Sequence, residues 1–385
     1  MRTALLGVVL VALGVIAIAT GLLPVADAVA LGQRVWPILL FVVAITVLTE
    51  LAAAAGLFAV VAERLARWGV HRAVVLWLLV VSLATVSTIF LSLDTTAVLL
   101  TPVVVAVARH VGLPPLPFAM TTVWLANSAS LLLPVSNLTN LLAADQLGGG
   151  GTPWQFAALM VAPALVAIVV PVAVLFVVYR RQLLVRYGSA EPGPRGDRVL
   201  LIASAVVVVL VLPALVSGIA VWIPAVVGAA VLVGFFAVRC RAALRFRLLP
   251  WQLVILAAGL FLVVATASGL GLAVLLRTVA GDGTGFLSLL RVAGTGVVAS
   301  NAVNNLPAYL ALEPTAGSPL RLAALLVGVN AGPLITPWAS LATLLWRQRL
   351  DGLGVVVSWR RYVALGLLAV PLTVVGAVGA LALLG

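Results

Sequence analysis

Apolar residues run the length of this chain in stretches of about 20, enough to cross roughly 30 Å of hydrocarbon. Polar residues interrupt those stretches at a few places instead of forming one face of each helix. The pattern predicts an all-α polytopic membrane protein of about 10–12 segments, some of them broken. The interruptions come in pairs. Around Asn127 the chain reads N-S-A-S-L-L-L-P-V-S-N-L-T-N-L-L, and around Asn330 it reads N-A-G-P-L-I-T-P-W-A-S-L-A-T-L-L. In both copies the Asn precedes a Pro by the same step (Asn127 to Pro134, Asn330 to Pro337). A small polar residue follows (Asn137, Ser340), then Asn140 or Thr343.

Other landmarks repeat in the same order. Trp36 opens a segment reaching Gly56-Leu57, and Trp251 opens one reaching Gly271-Leu272. Pro102 pairs with Pro307, and Trp154 with Trp359, with an offset that drifts only from 215 to 203 residues. The boundaries this implies are a first helix and loop over 1–34, a first repeat over 35–180, a linker with two scaffold helices over 181–250, and a second repeat over 251–385. The last helix of the first repeat ends at Arg180, whereas the last helix of the second begins beside Arg360 and Arg361. If those Arg-rich ends lie on one side, the repeats are inverted across the membrane. Such paired, Pro-interrupted segments point to a substrate site between inverted halves, with broken helices or re-entrant hairpins meeting near mid-bilayer. Pro114, Pro115, Pro117 and Pro134 leave the stretch from Leu113 to Asp145 open to either a hairpin or a broken span, and Asp145 is expected at its solvent end.

Composition narrows the class. The chain is 64% hydrophobic and 8% charged over 385 residues, which no soluble domain of this size accommodates. The net charge is +12, every basic residue is Arg, and 16 of the 22 gather at Arg64–Arg72, Arg180–Arg198, Arg239–Arg247 and Arg347–Arg361. This is the positive-inside bias, so these loops are expected on the cytoplasmic side of a prokaryotic plasma membrane, where they can meet anionic lipid; nucleic acid is not an expected partner. The single Cys240 excludes an internal disulfide and a multi-thiolate site. Val25–Ala28 resembles a cleavage site, but the apolar stretch Ala4–Leu23 exceeds a signal core of about 7–15 residues and reads as a first membrane helix.

Few acidic residues fall within apolar stretches. Asp94, in T-I-F-L-S-L-D-T-T-A-V-L-L-T-P, is the clearest. A carboxylate at that depth costs a few kcal/mol and is functional by default, here as the proton-coupling group. Asp-Thr-Thr before an apolar run is also a good helix cap, and a broken helix facing a cavity can use both roles. Glu50 belongs either to the cavity or, slightly favoured, to the water interface. The candidate substrate-binding residues are Asn127, Ser136, Asn137, Thr139 and Asn140 in the first half, and Asn304, Asn305, Asn330, Thr336, Ser340 and Thr343 in the second. Ser128, Ser130 and Asn301 lie among them. A lone Ser or Thr is more often helix-packing glue, whereas Asn beside a helix break is costly in lipid unless paired or facing water. No Arg lies mid-segment beside these clusters, which favours a neutral, hydroxyl-bearing solute. No nucleotide-binding loop, cofactor motif or metal cluster appears, and enzymatic chemistry is not expected.

These residues resemble the ion transporter superfamily and, within it, the arsenical pump membrane protein (arsenite permease) family. The resemblance runs from about Trp36 to Arg349 and rests on Asn127–Asn140, Val303–Pro307 and Gly332–Trp346. It implies a secondary transporter that expels arsenite or antimonite, as the neutral trihydroxy acid, in exchange for protons. It also implies a cytoplasmic ATPase subunit as a partner of some members, and a homodimer is a further expectation. The chain departs from the family pattern at Leu93, Asn127, Asn330 and Leu334, each change removing a polar or charged group. Alternatives within the superfamily are a sodium-coupled carboxylate or inorganic-anion transporter and a sodium/proton antiporter; outside it, a membrane scaffold subunit.

Overall fold

The structure is a computed structural model that describes residues 2–148, 152–188 and 197–383. Most of the linker expected over Gly188–Arg198 lies outside the described residues, as do the side chains of Asp145 and Arg247. Everything described is helix and connecting turn; the one β-bridge, Arg72 to Arg186, is isolated. Among the described residues nine helices are long and apolar enough to cross a membrane, and two shorter apolar helices accompany them at Leu5–Ala19 and Pro319–Leu334.

The chain opens with α1 (Arg2–Ala19), which lies along α11 (Trp251–Ala280). Glycines permit the approach: a Cβ on Gly259 would meet the Val11 nitrogen at 2.9 Å, and one on Gly7 would meet the Leu256 nitrogen at 2.8 Å. Lipid tails offer no hydrophobic drive to pair helices, so contact of this closeness is what holds α1. A long helix, α2 (Val25–Ala54), is followed by the short amphipathic α3 (Leu57–Trp68). The scaffold helices α9 (Arg198–Leu215) and α10 (Trp222–Arg239) pack against α2.

Between these lie two helical hairpins and two broken helices. Helix α4 (Ala73–Leu91) ends at Ser92, whose backbone turns to φ 99 and ψ 159, and α5 (Leu93–His110) leads away. The chain reverses here. Thr96 Oγ1 lies 2.9 Å from Thr88 Oγ1 and donates to Ser87 Oγ at 3.0 Å, whereas a continuing helix would put residues eight apart about 12 Å from each other. Next, α6 (Pro115–Ser128) breaks into two 3₁₀ turns around Pro134 before α7 (Leu138–Gly148) resumes. The long α8 (Pro153–Leu183) completes the first half, its start fixed by a Thr152–Gln155 capping box.

After α11, whose course is kinked at Gly271, the order repeats. Helix α12 (Phe286–Val303) ends at Asn304, with φ 109 and ψ 154, and α13 (Asn305–Leu312) returns beside it. Then α14 (Pro319–Ala331) breaks into two 3₁₀ turns around Pro337 before α15 (Leu341–Gly352), and α16 (Trp359–Ala382) packs along α8. The paired breaks also match in backbone angles: Asn137 sits at φ −153, ψ 147 and Ser340 at φ −140, ψ 136.

Hydrogen bonds identify two ends of the molecule. Ala73 N donates to Val185 O, Arg109 donates to Leu353 O, Arg361 stacks over Tyr179, and Arg239 pairs with Asp197 at 2.9 Å. The described residues of all four Arg clusters therefore gather at one end, together with both ends of the α4–α5 hairpin. At the other end Arg34 pairs with Glu313 and donates to Leu142 O at 3.1 Å, and Arg321 ties Gly283 to Ala316, closing the base of the α12–α13 hairpin. Arg34 and Glu50 lie on α2, about 24 Å apart along its axis. Arg34 meets the middle of α7 at Leu142, and Glu50 lines one chamber with Arg349 near the end of α15.

Candidate functional site

The two broken helices cross and are joined by a buried amide network. Asn330 Oδ1 accepts from Asn137 Nδ2 at 2.7 Å and from Thr139 Oγ1 at 3.2 Å, while its own Nδ2 donates to Asn140 Oδ1 at 2.9 Å. Its counterpart Asn127 donates to Thr343 Oγ1 at 3.3 Å, and Thr343 is the counterpart of Asn140. The pairing is reciprocal: the Asn of each copy reaches the residue thirteen positions along in the other, as a two-fold relation between matching surfaces requires. All of these residues are buried. Asn140 also closes its own break by donating to Ser130 O and Leu133 O, and Ser136 ties that break to the hairpin by donating to Ile89 O at 3.1 Å. Thr336 is held by Asn301, which accepts from its backbone at 3.0 Å and its hydroxyl at 2.8 Å.

In front of this network is a cavity of about 350 Å³, within the size range of small-ligand sites. Both hairpin tips enter it, Ser92 and Asp94 from one and Asn304 and Asn305 from the other, beside Asn137 and Ser340 from the two breaks. The remaining wall is mostly Leu, Val, Ile, Phe41 and Trp338. Among the described residues, Asp94 is the only charged group that lines it. Its carboxylate has no hydrogen-bond or ion-pair partner among them, and neither has the Ser340 hydroxyl. A buried hydroxyl without a partner costs energy that a bound ligand would recover.

The candidate residues thus divide into two sets. Asp94, Asn137, Asn304, Asn305 and Ser340 face the cavity. Asn127, Ser136, Thr139, Asn140, Asn330, Thr336 and Thr343 lie behind its wall, where they join the breaks to each other and to the hairpins. Three further residues belong to the site. Ser92 forms the first tip; Thr46 lines the wall from α2; and Trp338 donates to Asn301 O while its own carbonyl accepts from Asn304. Ser92 precedes Leu-Asp-Thr, and its match to Asn304 emerges only from the backbone angles. Thr46 and Trp338 have no sequence signal, being single residues in apolar surroundings.

A second chamber of about 310 Å³ opens from the same region toward the Arg-rich end. Thr46, Asp94, Leu253 and Leu341 line both chambers, so Asp94 stands at their junction. Glu50, Thr49, Thr95, Gln252 and Arg349 line the second one.

Comparison with known proteins identifies the scaffold. A family model described as citrate transporter matches residues 2–343. The arsenical pump membrane protein of Escherichia coli K12 is 31% identical over 366 residues, covering 87% of this chain and 83% of that protein. A second Escherichia coli protein of that name is 30% identical over 378 residues, covering 89% and 85%, and a putative one from Bacillus subtilis is 24% identical over 391 residues, covering 91% and 88%. The crystal structure of the YdaH transporter of Alcanivorax borkumensis superposes with a TM-score of 0.56 at 16% identity, covering 92% of this chain and 86% of that one, which speaks to fold alone. With the match extending over nearly the whole length and the hairpins and breaks in one bundle, the chain belongs to the citrate transporter family and is a multi-pass membrane transporter of the arsenical-pump kind.

Proposed function

We propose that this protein is a secondary transporter that expels arsenite or antimonite, as the uncharged trihydroxy acid, in exchange for protons. The observation that carries the reading is the polar part of an otherwise apolar cavity wall: amides, hydroxyls and one carboxylate, with no Arg or His among the lining residues. A citrate trianion there would meet Asp94 and no cationic partner, and burying unpaired charge is costly. A small neutral hydroxide finds donors and acceptors in Asn137, Asn304, Asn305 and Ser340. Asp94 then carries the proton, alternating between the cavity and the chamber at the Arg-rich end. The names of the Escherichia coli relatives support the cargo.

The halves act as inverted repeats. Hairpin bases at opposite ends and reciprocal Asn pairs support that reading, and the amide network would be the axis about which they rock. The Arg-rich end is cytoplasmic by the positive-inside rule, in a prokaryotic plasma membrane. The chain works as a secondary transporter by itself, and a cytoplasmic ATPase subunit, where one exists, adds drive from that end.

Everted membrane vesicles provide the test. Acidifying the lumen should drive accumulation of radiolabelled arsenite without sodium and without competition from citrate. Sodium-dependent uptake of citrate or succinate, with no arsenite flux, would replace this reading with that of a carboxylate transporter. Sodium-driven collapse of a pH gradient in the absence of arsenite would replace it with an antiporter.

A further inference from the structure

The chamber at the Arg-rich end contains a carboxylate that the cargo site does not use. Glu50 lies on α2 one residue beyond Thr49, and Asp94 lies on the first tip one residue before Thr95. Thr95 Oγ1 donates to Thr49 Oγ1 at 3.3 Å, so the two carboxylates flank a hydrogen bond between their neighbours and line one chamber of about 310 Å³. That space has room for several waters. The charged groups facing it are Glu50, Asp94 and Arg349. Of the elements packed against α2, α3 carries Glu63, Arg64 and Arg67, and the scaffold helices carry Arg198 and Arg239 with Asp197 at the start of α9. None of these lines the chamber.

We infer that Glu50 is the proton-transfer group through which protons pass between the water at the Arg-rich end and Asp94. The inference rests on the proton-coupled reading above. A proton released by Asp94 passes across the chamber to the Glu50 carboxylate and from there to bulk water; loading follows the reverse path, and no other species changes. Arg349, which lines the same chamber, places a positive charge beside this path. A carboxylate that passes protons on to a deeper one is a positioning and relay group, and it need not touch cargo. Glu50 makes no direct hydrogen bond among the described residues, and its electrostatic neighbour across the chamber is Arg349.

The test is Glu50→Gln in the full-length protein, reconstituted in lipid vesicles. Accumulation of arsenite driven by a pH gradient should fall by about tenfold or more. Arsenite exchange at equal pH on both sides, which needs no net proton movement, should fall far less, and Glu50→Asp should restore the gradient-driven rate. A readout that does not depend on cargo accompanies it: the rate at which Asp94 takes up a proton after a pH jump. This is followed by the infrared carboxyl band that Asp94→Asn removes, and Glu50→Gln should slow it by about tenfold. Unchanged proton uptake at Asp94, or equal loss of exchange and gradient-driven transport, would overturn the inference. Failure of the unmodified protein to move arsenite would instead overturn the cargo reading, and the infrared rate would still decide the role of Glu50.

Discussion

At Ser92 and at Asn304 the backbone turns through nearly the same angles, φ 99 with ψ 159 against φ 109 with ψ 154, and in each case two helices meet at a tip inside the cavity. The residues that follow differ. Leu93 and Asp94 succeed Ser92, while Asn305 and Leu306 succeed Asn304. One tip therefore brings a carboxylate and the other brings amides. The surroundings differ in the same sense: Asp94 borders a second chamber leading to the Arg-rich end, whereas the base of the other hairpin is closed by Arg321 and by the Arg34–Glu313 pair. In the mechanism proposed above the two like-shaped tips divide the labour, the first supplying the coupling charge and the second the hydrogen bonds to cargo.

The division makes graded predictions. The largest effect belongs to Asp94→Asn, which should abolish accumulation driven by a pH gradient, a loss of about 100-fold or more. Leu306→Asn, the matching change on the other tip, should leave pH dependence intact. The network behind the cavity should respond in stability. Asn330→Ala removes three interhelical hydrogen bonds. At about 0.6–1.7 kcal/mol for each such bond in a membrane protein, the cost should be roughly 2–5 kcal/mol, read as a lower melting temperature in detergent. Asn127→Ala removes a single bond to the other half and should cost about 0.6 kcal/mol. Equal losses at the two positions would contradict the asymmetry of the network.

Ser340→Ala removes an unpaired hydroxyl from the cavity wall. It should raise the KM for arsenite by about five- to tenfold, the equivalent of one hydrogen bond, without destabilising the protein. The smallest effect lies at the surface. Arg239, by its hydrogen bond to Asp197, holds that carboxyl below its usual range near about 3.9. A lowered folded-state value means that the contribution to stability is present above the ordinary carboxylate range and fades as pH falls through the folded value. Arg239→Ala should therefore raise the Asp197 titration point in an NMR pH series and leave transport unchanged.

Much of this was legible in the sequence, because Pro, Gly and Asn favour helix breaks and are conspicuous against an apolar background. The pairing of Asn127 with Asn330 and of Pro134 with Pro337 located both broken helices, and the apolar runs gave the helical membrane class. Direction was less legible. Thr139 and Asn140 share a short segment with Asn137, yet they face Asn330 while Asn137 also borders the cavity; a rotation of one or two residues about a helix axis decides this, and spacing from a break does not fix it. The tip at Ser92 lacks the Gly or Asn that a positive φ favours. Glu50 read as an interface residue because a terminal acid on a long apolar run is usually at water, and only the approach of the first tip to α2 reveals the chamber they share.

The account depends on a cavity that takes an uncharged guest while a carboxylate between two chambers moves a proton the other way. Purified protein in liposomes, with arsenite and pH recorded in the same sample, tests it most directly. The prediction is arsenite flux accompanied by an opposing proton flux, insensitive to sodium and citrate, with both fluxes lost together in Asp94→Asn. Arsenite movement without protons, or undiminished coupling in Asp94→Asn, would contradict it.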